Sequence, residues 1–249
     1  MTFELADALP PEGRNAILEA LSREGRRSLE DGLSEVELEM QQPISAEEEG
    51  VDGVYFPLSC VMCRLVSLPE GTTVKASIVG REGLTGSSAF VDTSVSAFRT
   101  VVQLPGRALF LPRSQAGGLL AVPGMAPILL RYLLLLVREA SLTAACNRVH
   151  PAKERLARWL LLLGDRANRD EFPLTHESLS AMLGVRRESV TLAATELRGA
   201  GAIEYRRATV AITDRPELTK QSCSCYSAVT ESYATFLTAV RPSLTPGRS

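Results

Sequence analysis

Between about Val36 and Pro112 the chain alternates short apolar runs with Gly, Pro, Ser and Asp breaks: VYFPLS, CRLVSLP, VKASIVG, FRTVVQLPG and RALFLP. Runs of that length, recurring at roughly 8 to 12 residue spacing, predict an antiparallel β-sandwich or barrel. Ahead of them, EGRNAILEALSREGRRSLE (12–30) places Ile17, Leu18, Leu21 and Leu29 at helical spacing. One or two short surface helices are expected there.

The period then changes. From near Pro127, a residue suited to a first helical turn, Leu130, Leu133, Val137, Ala140, Ala144 and Asn147 follow one another at intervals of 3, 4, 3, 4 and 3. Such a stripe lets two helices pack along a shared seam, and small residues toward its end favour close approach. A lone amphipathic helix packed on its own domain is the alternative. His150-Pro151 breaks the pattern and marks a candidate hinge. The apolar stretch from Gly118 to Val137 is interrupted by Pro123, Pro127 and Arg131, so it reads as the approach to a buried helix and not as a membrane span.

Beyond the hinge, AKERLARWLLLLGDRAN (152–168) carries Leu156, Trp159, Leu160 and Leu163 on one face, and Phe172–Leu174 suits a short strand. Thr175 is a good N-cap for HESLSAML, which ends at Gly184. A second helix, RRESVTLAATELRGAG, follows at once. IEYRRATVAIT then reads as two strands joined at Arg206-Arg207. Asp214, with Pro216 behind it, caps a last helix expected to run to about Val240, and PSLTPGRS reads as a loose tail.

Composition adds an asymmetry. Across 249 residues the formal net charge is -2, with 45% apolar and 22% charged residues, an ordinary globular balance. Residues 151–249 nevertheless hold 14 Lys and Arg against 11 Asp and Glu, leaving 13 against 18 for residues 1–150. The cationic surface therefore belongs to the C-terminal part. MTFELADALPPEG has neither the basic start nor the apolar core of a signal peptide, and five cysteines suit a reducing cytoplasm better than a disulfide scaffold.

The stretch Thr175–Ile212 concentrates the chemistry. Two short helices joined by a Gly-containing turn, then a β-hairpin, make a winged helix-turn-helix pattern. Val190, Ala193, Ala194 and Leu197 would seat the second helix on its domain. Arg186, Arg187, Glu188, Ser189, Thr191 and Leu192 would face outward. In a major groove Arg can bond guanine O6 and N7, and Glu can accept from cytosine N4. Arg206 and Arg207 in the wing, with Thr175 and His176 at the first helix, suit phosphate contacts that fix register. Solvated charges on an adaptor domain that controls protein–protein contacts are the rival reading.

THESLSAMLGVRRESVTLAATELRGAGAI closely resembles the DNA-binding domain of the Crp/Fnr family, the cyclic-AMP receptor protein and its relatives. The resemblance extends in element order over about residues 30–215. It implies an α+β architecture: a cyclic-nucleotide-binding-type jelly roll (1–115), a connecting dimerisation helix (116–150), a winged helix-turn-helix (151–226), and a C-terminal helix extension and tail (227–249). It also implies a cytoplasmic homodimeric transcription regulator on double-stranded, pseudo-palindromic DNA, with RNA polymerase as a further candidate partner. Family recognition helices usually carry an Arg-Glu pair followed four residues later by Arg. Arg187-Glu188 matches the pair, whereas the later position is Leu192, suited to a thymine methyl.

The sensor departs further. Where nucleotide binders have Gly-Glu at the ribose and Arg-Ser or Arg-Thr-Ala at the phosphate, this chain has Gly86-Ser87 and Ser96-Ala97. Glu82 and Arg99 are weak stand-ins at the wrong spacing. A phosphate without its cation loses much of its charge-assisted bonding, so cyclic AMP is not expected and the effector stays unnamed. Neither a cofactor nor a metal is expected. Cys60-Val-Met-Cys63 reads as buried strand thiols, and Cys223 and Cys225 as helix residues pointing apart. No phosphate loop, dinucleotide fingerprint, nucleophile elbow or HExxH occurs, so no enzyme is expected.

Overall fold

The computed structural model describes residues 5–46, 50–71, 73–90, 96 and 98–240. Three short helices open the chain: α1 (Leu5–Ala8), α2 (Ala16–Glu19) and α3 (Arg23–Glu30). They bury Ile17, Leu18, Leu21 and Leu29, the apolar positions of the 12–30 pattern.

Among the described residues seven strands follow: β1 (Ser34–Leu38), β2 (Pro43–Ser45), β3 (Gly53–Pro57), β4 (Val61–Ser67), β5 (Thr73–Val79), β6 (Arg99–Leu104) and β7 (Gly106–Pro112). They pair antiparallel in two sheets, β1-β7-β3 and β2-β6-β4-β5. In β4 the period of two sorts side chains between faces: Val61, Cys63 and Leu65 join the main core, and Met62 joins a smaller one with Leu38, Ile44, Tyr55 and Cys60. The expected sandwich is therefore present.

A short α4 (Arg113–Ala116) and a 3-10 turn (Gly117–Ala121) lead into α5 (Met125–Val149). This helix has two apolar faces. Ile128, Leu129, Tyr132, Leu135 and Cys146 are buried against the rest of the chain, while all six stripe residues, Leu130, Leu133, Val137, Ala140, Ala144 and Asn147, are exposed. The alternative of a helix that spends its stripe on its own domain is not what folds. Among the described residues no single helix is long and apolar enough to cross a membrane.

After His150-Pro151 come α6 (Ala152–Ala167), β8 (Glu171–Pro173), α7 (His176–Leu183), α8 (Arg187–Gly199), β9 (Ile203–Arg206), β10 (Thr209–Ile212), α9 (Arg215–Gln221) and α10 (Cys225–Val240). The small sheet runs β8-β10-β9. Three expectations need correcting. First, α6 is not one-sided: every residue from Arg155 to Arg166 is buried, because the β-domain and helices α7 to α10 surround it. Second, the last helix is two, since Ser222 adopts extended backbone and ends α9. Then α10 folds back along α5, with Arg138 Nε donating to Ser232 Oγ at 2.7 Å, Tyr233 Oη to Glu139 Oε2 at 2.6 Å, and the Tyr132 and Phe236 rings 5.8 Å apart. Third, the wing turns one residue later than expected, at Arg207 and Ala208, both with positive φ (47° and 63°), and Arg206 closes β9. The expected tail, 242–249, lies outside the described residues.

Candidate nucleic-acid interface

The helix pair at the interface is set by local chemistry. Thr175 accepts the Ser178 backbone N–H at 3.0 Å and starts α7. Gly184 ends it in left-handed backbone (φ 62°), where a side chain would be strained. Ser180 Oγ donates to the Val185 carbonyl and closes the turn into α8.

Helix α8 is anchored by Val190, Ala193, Ala194 and Leu197, none more than 6% exposed. Arg186 caps it through its backbone, and its side chain makes no cap hydrogen bond. Arg186, Arg187, Glu188, Ser189, Thr191 and Leu192 all face solvent, with Leu192 62% exposed. Two of these residues are held in place. Arg187 pairs with Glu177 of α7 at 3.2 Å, and Thr191 Oγ1 lies 3.4 Å from His176 Nδ1. His176 in turn stacks on Tyr205 of the wing, ring centres 4.7 Å apart. Helix α7, helix α8 and the wing are thus joined through His176. In the wing Arg206 pairs with Glu204, and Arg207 is exposed in the turn.

The structure brings together Thr175, His176, Arg187, Thr191 and the wing. It separates the two effector candidates. Glu82 is fully buried, its Oε1 accepting from Gly80 N at 3.0 Å and Arg166 Nε at 2.7 Å. Arg99 is exposed on β6. Glu82 is therefore committed to α6. Gly86 stands where a ribose-binding motif would begin, but its requirement is steric: a Cβ there would lie 2.1 Å from the Gly53 carbonyl oxygen, and φ is +85°. Ala97 lies outside the described residues.

Sequence reasoning missed the polar belt that joins the two halves. Lys75 Nζ of β5 bonds Gln103 Oε1 at 2.5 Å and Ser178 Oγ of α7 at 2.9 Å. Arg81 donates to the Arg166 carbonyl at 3.1 Å. Arg166 also lies 3.5 Å from Glu139 of α5 and over the Tyr233 ring. A buried charge needs a partner, and that rule was the available signal. Cys60 and Cys63 lie in separate cores, and burial pushes both thiols up to about 12.

Residues 154–221 match the Crp-like helix-turn-helix domain. The chain carries that domain on a Crp/Fnr-type fold. Among solved structures it is similar to FixK2 from Bradyrhizobium japonicum, at 17% identity and a TM-score of 0.64 over 77% of this chain and 98% of that one. It is also similar to a putative transcriptional regulator of the Crp/Fnr family from Eubacterium rectale (16%, 0.64, 81% and 94%). A CRP-family transcriptional regulator from Thermus thermophilus matches as well (20%, 0.59, 75% and 96%). No curated protein sequence matches. Within the Crp-like domain, α7 and α8 form the helix-turn-helix and β9–β10 the wing.

Proposed function

We propose that this chain is a sequence-specific DNA-binding transcription regulator. What carries the reading is the outward face of α8, whose Arg187-Glu188 pair sits at the exposed N-terminal end of the second helix of a Crp-like helix-turn-helix. A helix of this diameter enters the major groove, and its first residues meet base edges. Arg187 and Glu188 read bases there, Leu192 meets a thymine methyl, and Thr175, His176, Arg206 and Arg207 hold phosphates.

The protein acts as a homodimer in the cytoplasm. Support comes from Leu130, Leu133 and Val137 of α5, exposed at 61%, 40% and 64% beside Leu134 at 62%. Contiguous apolar surface of this kind marks an association site, and the 3-4 spacing suits a second copy of the same helix. The two α8 helices then fall in successive major grooves, about 34 Å apart, on a pseudo-palindromic site. The β-domain sets their orientation through the Glu82–Arg166 and Lys75–Ser178 contacts that bridge the hinge near Pro151. Its effector is unnamed and is not cyclic AMP, since Glu82 is committed elsewhere. RNA polymerase is a proposed partner, and no enzymatic activity is proposed.

Selection of bound fragments from random double-stranded DNA tests binding, symmetry and spacing together. Enrichment of an inverted repeat with half-sites one helical turn apart supports the reading. Absence of any enriched sequence overturns it.

A further inference from the structure

The end of α5 and the break between α9 and α10 bring four ligand-bearing side chains to one point. Cys146 and His150 lie one helical turn apart on α5, His150 being its C-cap. Cys223 lies in the break and Cys225 opens α10. As residues of one continuous helix, Cys223 and Cys225 would diverge; across the break their thiols converge. The Cys146 and Cys223 sulfurs are 3.5 Å apart, and Cys225 Sγ is 3.7 Å from His150 Nδ1. All four ligand atoms lie within 4.8 Å of one another.

We propose that Cys146, His150, Cys223 and Cys225 form a tetrahedral site for a thiophilic divalent ion of the zinc class. Three thiolates and one imidazole are a common structural zinc set. With Zn–S near 2.3 Å, a regular tetrahedron places sulfurs about 3.8 Å apart and sulfur from nitrogen slightly closer. The sulfur–sulfur separation of 3.5 Å and the sulfur–nitrogen separation of 3.7 Å each lie within about 0.3 Å of those spacings, so little movement is needed to close on an ion. Cys146 and Cys223 are buried, at 0% and 4% exposure, and His150 is half-buried, leaving a route in.

A second observation points the same way. Arg155 and Arg158 of α6 are buried near this cluster, and the Nε of each has no hydrogen-bond partner. Arg155 donates to the Leu183 carbonyl and Arg158 to Thr143 Oγ1 at 3.4 Å. Among the described residues no carboxylate pairs with either. Buried guanidinium groups with no carboxylate partner are poorly compensated. On binding a divalent ion the sulfurs give up to solvent whatever thiol protons they carry, and the centre of three thiolates, one neutral imidazole and the ion has a net charge of -1. That charge supplies the anion both arginines lack, and their N–H groups orient the sulfurs.

The site joins the end of the long helix to the start of α10 across the His150-Pro151 hinge. An ion there ties the end of α5 to the α9–α10 break and, through the packing of α9 and α10 on α6, constrains the placement of the helix-turn-helix. This consequence rests on the DNA-binding reading, whereas ion binding itself does not.

The test is cobalt(II) titration of the full-length chain, reduced and stripped with a chelator. Equimolar uptake with the visible bands of tetrahedral cobalt and the near-ultraviolet thiolate charge transfer, both abolished by added zinc, is the expected result. Loss of a supporting group around a site already costs about 10–100-fold in affinity, so Cys225→Ser should cost at least that. His150→Gln, at a half-buried position, provides a variant that keeps the core thiols, while Cys60→Ser should bind as the parent does. Absence of thiolate bands, bands unchanged in Cys225→Ser and His150→Gln, or a Cys146–Cys223 disulfide in place of ion uptake would overturn the site. If cobalt binds but chelation leaves DNA affinity unchanged, the hinge consequence is overturned and the site stands.

Discussion

Arg166 Nε donates to Glu82 Oε1 at 2.7 Å, and both side chains are essentially inaccessible to solvent. The pair bolts the centre of α6 to the Gly80–Gly83 turn of the β-domain. Glu139 and the Tyr233 ring complete the setting from α5 and α10. Four parts of the chain thus meet at one guanidinium.

Removing one partner of such a pair leaves a buried charge uncompensated, at a cost of about 3–5 kcal/mol. Glu82→Gln should lower the denaturant midpoint accordingly with an unchanged slope. Adding Arg166→Met to it should recover a substantial part of the loss. Equal stability of Glu82→Gln and the parent would show that the pair is not holding the domains together.

The exposed stripe on α5 predicts association. Val137→Glu places a carboxylate among apolar residues on the proposed seam and should convert a dimer to a folded monomer, read by sedimentation with circular dichroism unchanged. A parent chain that is monomeric at all concentrations would contradict the dimer.

Glu177 holds Arg187 in the free protein, both ends exposed. Exposed pairs contribute little to stability, but this one withholds a base-reading side chain and sets a negative charge near phosphates. Glu177→Gln should leave the melting temperature unchanged and raise DNA affinity severalfold, with the larger gain at low salt. Weaker binding by this variant would mean that Glu177 orients Arg187 and does not restrain it.

Burial pulls the Lys75 ammonium below its usual 10.5, with Cys63 opposing. Folding therefore favours the neutral amine. The stability this group contributes is present above 10.5 and is lost as pH falls through the folded value. Between the two, the parent should gain stability with rising pH relative to Lys75→Met. Parallel stability curves for the two proteins would contradict the burial of a titrating amine at Ser178.

Much of this was legible in the residues. Val190, Ala193, Ala194 and Leu197 repeat at helical spacing with polar residues between, and the Thr175 cap and Gly184 stop bound the preceding helix, so the interface could be drawn from local chemistry. The sandwich was equally visible, because each strand is a short apolar run between breaks. Helix α6 was not. Its Arg155, Arg158, Asp165 and Arg166 look like a solvent face, and their partners, among them Glu82, Glu139 and Arg215, lie far off in the chain. The same distance hid the thiol cluster: Cys146 and Cys223 are 77 residues apart. The break that aims Cys223 and Cys225 together has no Pro or Gly to announce it.

The direct test of base reading by α8 is the affinity of Arg187→Ala for a selected site and for random DNA, measured side by side. A loss of about 1–3 kcal/mol on the selected site, with random binding scarcely changed and one base position relaxed, is predicted. Arg207→Ala should instead weaken both alike and flatten the salt dependence. Equal losses on the two DNAs for Arg187→Ala would contradict the assignment of base reading to this helix.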